Sequence, residues 1–455
     1  MLLVFAGATA VVGEEANGDW VGVMASGFKV RIHIDKTTNG YTGHLTNPSG
    51  NDTELDQIIS DGSRLHFSVT KLTLSYDGVW NIQAQRWQGD LNFQQVYPLV
   101  LTRATEKDRE PAVHQRPQER DIQVGPRPYV EREVLIQNHS GGNQLAGTLS
   151  LPKGDGPFPG AVLISGTGHN TRDEDVWGHK VFLVLADALN RKGVAVLRYD
   201  KRGVGSSTGD YDSATTVDFT SDAAAGFKWL RSQPQIDRER VGVIGHSEGG
   251  IIAPAVAVAN PEVAFVVMLA GPCIRGDKLF VLQSAMTAKA YGAPKTYIAR
   301  RKVFDQELYD AIRSAPSQAV AFDHAKTIIA QGINDKILDP KEAETLPAED
   351  TRPWECYFLA YDPAPTLAKV RVPVLALNGS LDVQVPAKED LAAARESLKH
   401  NPQATVTELP GKNHLLQDAK TGAPNEYNDI EETMSPEALN IIANWVQNIP
   451  KLPTH

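Results

Sequence analysis

The stretch "RVGVIGHSEGGIIAPAVAVAN" (240–260) decides how the rest of the chain is read. Residues 240–244 are a short run rich in β-branched side chains, as expected of a buried strand. Residues 251–259 form an apolar run compatible with a helix. Between them, "GHSEGG" (245–250) puts a serine on the bend. A serine on so sharp a strand-to-helix turn is forced outward, and the small residues at 245, 249 and 250 relieve the crowding. The following helix N-terminus offers free N–H groups and positive potential to developing negative charge. Pro254 inside the apolar run predicts a kink or an early first turn.

A second match to Gly-x-Ser-x-Gly, "GSSTG" (205–209), has no such context. Ser207 lies several residues past the strand "VAVLRYD" (194–200), among the three glycines of "KRGVGSSTG", and no helix follows directly. It reads as a mobile connection whose glycines supply unusual backbone angles. Ser247 is therefore the candidate nucleophile and Ser207 is not.

Outward from 240–260, strands alternate with helices, the mark of an α/β sheet. Strands are expected at 132–137, 144–151, 160–165, 193–199, 240–244, 263–270, 372–378 and 404–409. Helices are expected at 177–192, 216–233, 248–259, 386–399 and 434–447. Residues 272–365 interrupt the alternation as a long insertion of helical periodicity, and insertions of this size usually cover a site. Residues 17–103 differ: short alternating strands such as "FKVRIHI" (28–34) and "RLHFSV" (64–69) are separated by Asn-Gly and Asp-Gly turns. They predict a small antiparallel barrel or sandwich. Its Trp20, Tyr41, Trp80 and Trp87 are expected in the core, and His33, His44 and His66 as isolated strand histidines. Residues 104–130, charged and proline-bearing without apolar period, read as a linker, leaving 131–455 as the larger domain.

A nucleophilic serine needs a base and a group to orient it, in the chain order Ser, acid, His. After the insertion, "VPVLALNGSLDVQVP" (372–386) is a buried strand with Asp382 in the loop at its carboxyl end, where functional groups sit in an open α/β sheet. The last strand, within "ATVTELPGKNHLLQDA" (404–419), leads into a loop carrying His414. Asp390 falls inside a helix, Asp362 precedes its strand, and Asp418 follows His414. His400 ends a helix, His324 lies in the insertion, and His246 is expected to point elsewhere from so tight a turn. The backbone N–H groups of Thr167, in "SGTGHN" (165–170), and Glu248 are the expected oxyanion donors, with Gly168 as second choice to Thr167. The Glu248 side chain is expected to serve the helix N-terminus.

The 455 residues carry a net charge of −10, with 41% hydrophobic and 22% charged residues. Without a basic run this argues against nucleic acid or an anionic membrane as main partner. The two cysteines, Cys273 and Cys356, follow no metal-ligand spacing; two buried free thiols are expected, although spacing does not exclude a pair. The apolar run Leu2–Val12 is too short to span a bilayer. With "ATA" at 8–10 it reads as a signal remnant (1–16) and points to export, periplasmic or extracellular, although no Lys or Arg precedes it. The competing reading is a first folded strand in a cytoplasmic protein.

The blocks "ISGTGHNTRDED", "LRYDKRGVGSSTG", "GHSEGG", "RPWECYFLAYDP", "PVLALNGSLDVQVP" and "LPGKNHLLQDAKTG" with "IEETMSP" resemble the α/β-hydrolase superfamily over about 130–450. Bacterial serine esterases with an N-terminal β-domain and an inserted helical cap are the resembling group. The resemblance implies a mostly parallel sheet flanked by helices and hydrolysis of carboxylic esters through Ser247, Asp382 and His414; a large cap narrows access, so short- to medium-chain esters are expected. It also implies that Trp354, Tyr357 and Phe358 join the cap to the site. No metal or organic cofactor and no membrane insertion are implied, and the oligomeric state is left open. The same chemistry serves a serine peptidase or a carbohydrate deacetylase, and a relative that only binds ligand would keep the fold.

Overall fold

A computed structural model describes residues 15–23, 29–46, 52–70, 74–93, 95–109, 116–338 and 346–451. Most of the expected signal remnant, residues 1–14, lies outside them. The chain divides into two units, residues 1–113 with 338–344, and residues 114–337 with 345–455.

The first unit is one antiparallel sheet. Its strands are β1 (Gly18–Val23), β2 (Lys29–Thr37), β3 (Gly40–Thr46), β4 (Asp52–Glu54), β5 (Gln57–Ser60), β6 (Arg64–Val69), β7 (Leu74–Asn81), β8 (Arg86–Phe93) and β9 (Gln95–Arg103). Their order is β4-β3-β2-β1-β9-β8-β7-β6-β5. The two edge strands, β4 and β5, are consecutive in the chain with only Leu55 and Asp56 between them. Three peptide steps reach about 10 Å, so the sheet must curl until its edges meet. The Leu55 N–H donates to the Gly43 carbonyl and the Asp56 N–H to that of Ser68, at 3.0 and 2.8 Å, stitching β3 to β6. Trp20 and Trp87 are fully buried and meet Trp80 edge-on, so the aromatic residues fill the core as expected. The strand histidines are not isolated. The β2–β3 register pairs His33 with His44, their rings stack at 5.1 Å, and His33 lies against Asp19 and Asp35.

The stretch 104–130, expected as a linker, contains α1 (Glu106–Arg109) and α2 (Pro117–Val124). Two of its charges, Arg116 and Glu119, are buried and serve as internal ties. Buried Arg116 donates to the carbonyls of Gly178, Asn428 and Ile430, and Glu119 accepts from Thr433 Oγ1 and the Lys180 N–H.

The second unit is a doubly covered sheet. Its strands are β10 (Tyr129–Asn138), β11 (Asn143–Pro152), β12 (Phe158–Ile164), β15 (Ala195–Tyr199), β16 (Ile236–His246), β17 (Val266–Leu269), β18 (Val374–Gly379) and β19 (Ala404–Leu409), with a separate small hairpin of β13 (Asp175–Val176) and β14 (His179–Lys180). The order β10-β11-β15-β12-β16-β17-β18-β19 is parallel from β15 onward. Alternation at period two divides the core. Val162, Ile164, Val243, Met268 and Ala376 face one side with Phe219 and Phe227 of α4 (Thr216–Arg231) and Ile252 of α5 (Gly249–Ala259). Ala161, Leu163, Ile244, Val267 and Leu377 face the other, with Phe182 of α3 (Val181–Arg191) and Ile442 of α13 (Pro436–Gln447). Each large apolar side chain so buried contributes about 1.5–3 kcal/mol.

Between β17 and β18 the chain runs through α6 (Gly276–Ala290), α7 (Lys295–Ser314), α8 (Gln318–Asn334), α9 (Leu346–Glu349), α10 (Pro353–Ala360) and α11 (Ala364–Leu367); α12 (Ala387–Ser397) follows β18. Pro254 sits inside α5 without ending it. Both cysteines are free thiols, and only Cys273 is fully buried. Among the described residues no helix is long and apolar enough to cross a membrane.

The entry to the insertion is held by Asp390 of α12, which accepts the N–H groups of Cys273 and Ile274 at 2.6 and 3.2 Å. Burial pushes its carboxyl up to about 7. The folded protein therefore keeps a proton that the unfolded chain, with an aspartate near its ordinary value of about 4, has released. Stability should fall as pH rises through that window. Asp390→Asn keeps an acceptor oxygen and removes the titration. Melting temperatures measured from pH 4 to 8 should fall less steeply for the variant than for the natural protein.

Candidate active site

β16 ends at His246 and α5 starts at Gly249, so Ser247 occupies the bend with φ +53°, in the left-handed region. A non-glycine residue there is uncommon and must be held by its surroundings. Two glycines allow the bend by close approach. A Cβ on Gly245 would overlap the carbonyl of Gly249, and one on Gly249 would overlap the carbonyl oxygen of Ile164 on the neighbouring strand. The Ser247 N–H donates to the Leu269 carbonyl at 2.9 Å, fixing the bend to β17. Ser247 lines a cavity of about 260 Å³ together with His414, His246, Glu174, Trp354 and Phe358.

His414 sits in the loop after β19 and Asp382 in the turn after β18. Both are nearly inaccessible, and His414 Nδ1 lies 2.8 Å from Asp382 Oδ2. The other carboxylate oxygen accepts the N–H groups of Gln384 and Val385, each at 2.8 Å. The turn thus fixes the carboxylate, and the carboxylate keeps the imidazole proton on Nδ1 and turns Nε2 free to accept. The rival acids are engaged elsewhere: Asp390 caps the insertion entry, and Asp418 pairs with Lys412 at 2.5 Å.

In the loop after β12, the Gly166 N–H donates to Glu174 Oε1 at 2.5 Å and the Gly168 N–H to the Tyr211 hydroxyl at 2.9 Å. Gly168, the second choice as oxyanion donor, is therefore engaged. Among the described residues the amides of Thr167 and Glu248 make no hydrogen bond.

Three expectations need correction. The Glu248 side chain makes no cap hydrogen bond. It is buried, accepting from Lys201 Nζ (3.0 Å), Thr216 Oγ1 (2.8 Å) and Trp354 Nε1 of α10 (2.6 Å). The carboxylate beside the elbow turns inward, where an ammonium, a hydroxyl and an indole N–H meet it. His246 does not point away from the site. It lines the cavity, its ring centroid 4.9 Å from that of His414, with Nε2 3.0 Å from the His414 carbonyl and Nδ1 3.0 Å from Glu174 Oε1. Burial lowers its basicity, but the charge and hydrogen bond of Glu174, together with the His414 carbonyl and the Asp382 charge, leave it raised. The only sequence signals for this pair were a histidine inside the elbow motif and the acid run "TRDED" (171–175).

Ser207, finally, is not on a mobile connection. Its hydroxyl donates to the Asp200 carbonyl at 2.7 Å and accepts the Ala146 N–H at 2.9 Å. Asp200, Lys201 and Arg202 of the same loop pair with Arg172, Glu248 and Asp222. The serine is spent on holding the loop. Ser207→Ala leaves a buried N–H and carbonyl short of partners and should cost about 1–3 kcal/mol, read as a lower melting temperature, while ester turnover persists.

The model of a family described as the alpha/beta hydrolase family matches residues 161–429. Esterase EstD of Thermotoga maritima is 25% identical over 329 residues, 71% of this chain and 69% of that protein. An uncharacterised Mycobacterium tuberculosis protein is 26% identical over 225 residues, 49% of this chain and 68% of its own. A solved Pyrococcus furiosus esterase superposes with a TM-score of 0.44 at 15% identity, covering 72% of this chain and 93% of that one. With the matched region spanning more than half its length, the chain belongs to the alpha/beta hydrolase family.

Proposed function

We propose that the protein is a carboxylesterase in which Ser247 is the nucleophile, His414 the general base and Asp382 the group that orients it. The observation that carries this reading is the buried 2.8 Å contact between His414 Nδ1 and Asp382, in the wall of the cavity that also receives Ser247. Ser247 attacks the ester carbonyl as His414 Nε2 takes its proton. Asp382 holds the useful tautomer and stabilises the imidazolium. The amides of Thr167 and Glu248, unengaged by the protein, are the donors for the tetrahedral oxyanion, each worth about 3 kcal/mol. His414 then protonates the leaving alcohol, and water, activated by the same base, releases the acid from the acyl-enzyme.

The helical insertion serves as a cap. Phe358 and Trp354 of α10, stacked at 4.7 Å, and Phe280 of α6, 5.0 Å from Phe358, give the cavity an aromatic wall. A volume of about 260 Å³ is at the small end for ligand pockets and favours short or medium acyl groups. The esterase named among the relatives supports the same reaction class.

Ser247→Ala should abolish turnover of a short p-nitrophenyl ester in a protein whose circular dichroism and melting are those of the parent; appreciable residual turnover contradicts the assignment. Asp382→Asn should lower kcat by about 10³–10⁴ through the wrong imidazole tautomer.

A further inference from the structure

The cavity wall holds a buried acid that acyl transfer does not use. Glu174 is 1% exposed and sits in left-handed backbone at φ +50°. Its Oε1 is saturated by two donors, the Gly166 N–H and His246 Nδ1. Its Oε2 is buried and has no hydrogen-bond partner among the described residues. A buried carboxylate oxygen without a donor has lost its water and gained nothing in exchange. An arrangement that loads one oxygen and starves the other persists most simply where a ligand supplies the missing donor.

The charge of the pair limits what that donor is. His246 Nε2 faces the His414 carbonyl, which only accepts, so Nε2 carries a hydrogen. One proton lies between Nδ1 and Glu174 Oε1, at 3.0 Å, so with Nε2 also protonated His246 and Glu174 together carry no net charge. The pair is neutral as a whole, so the vacant oxygen needs a hydrogen-bond donor and not a second cation. A hydroxyl meets that requirement. An ammonium would add an unbalanced charge in a buried wall.

Building on the esterase reading, we propose that Glu174 determines specificity. Its Oε2 accepts a hydrogen bond from a hydroxyl group of the substrate, while the aromatic wall of Phe280, Trp354 and Phe358 receives the apolar part. The preferred substrates are hydroxylated esters, either of hydroxy acids or of polyols. A site built to bond a hydroxyl discriminates against the analogue without it, because the acceptor is then left unpaired.

The test uses the full chain and matched esters. On the acyl side, p-nitrophenyl butyrate is compared with p-nitrophenyl 3-hydroxybutyrate and p-nitrophenyl 3-aminobutyrate. On the alcohol side, propyl butyrate is compared with glyceryl monobutyrate. We expect kcat/KM at least about tenfold higher for the hydroxylated member of one pair. In Glu174→Gln, whose amide presents a donor where Oε2 accepted, that ratio should collapse towards one, through KM of the hydroxylated ester. A purely structural role would lower both members alike and leave the ratio intact, which overturns the proposal. So does a parent ratio near one in both pairs, a result that needs no variant to fold. Preference for the amino ester overturns the hydroxyl assignment. Turnover of the plain esters reads the underlying function separately; if no member of either pair is hydrolysed, the esterase reading fails and this proposal with it.

Discussion

The site rests on one close contact of backbone with backbone. Gly249 lies so near the Ile164 carbonyl, and Gly245 so near that of Gly249, that neither position has room for a Cβ. The register of β12 against β16, which sets Ile164 opposite Gly245, makes that contact possible. The bond from the Ser247 N–H to Leu269 closes it from the other side. Three adjacent strands at the centre of the sheet thus hold a serine in backbone that it would not adopt alone. The cost of the left-handed conformation is met by the burial of those strands on both faces.

Around this turn, buried charge replaces apolar packing. The loop after β15 sends Asp200 to Arg172, Lys201 to Glu248 and Arg202 to Asp222. Removing one partner of such a buried pair typically costs about 3–5 kcal/mol, although the intact pair adds little net stability. Their effect is to specify geometry. Glu248 is the residue after the candidate nucleophile, and its carboxylate joins Lys201 of the sheet domain to Trp354 of the insertion. The position of the aromatic wall is thereby tied to the residue that follows the candidate nucleophile.

What the sequence disclosed follows from physical cause. Strands β12, β16, β17 and β18 are buried on both faces and appear as short apolar runs, so their existence was plain. The pairing of Asp382 with His414 was legible because Asp382 follows β18, such a strand, into a loop, and His414 follows the neighbouring edge strand β19 at the same end of the sheet. Polar residues turned inward were not legible. Arg116 and Glu119 sit in a stretch whose composition is that of a solvated linker, yet both are buried. Glu174 lies in an acid run, and nothing local reveals that His246 and Gly166 await it. The loop at Ser207 reads as mobile because glycines permit many angles. There they take positive φ at 203, 205 and 209, and hydrogen bonds to β11 and its neighbours fix them.

The proposed function requires the turn after β16 to present a reactive serine. Treatment of the native protein with a fluorophosphonate, followed by peptide mapping in a mass spectrometer, tests it directly. One adduct per chain is expected, on Ser247, and none after the protein is unfolded. No adduct, or an adduct on Ser207 or another residue with Ser247 unmodified, would contradict it.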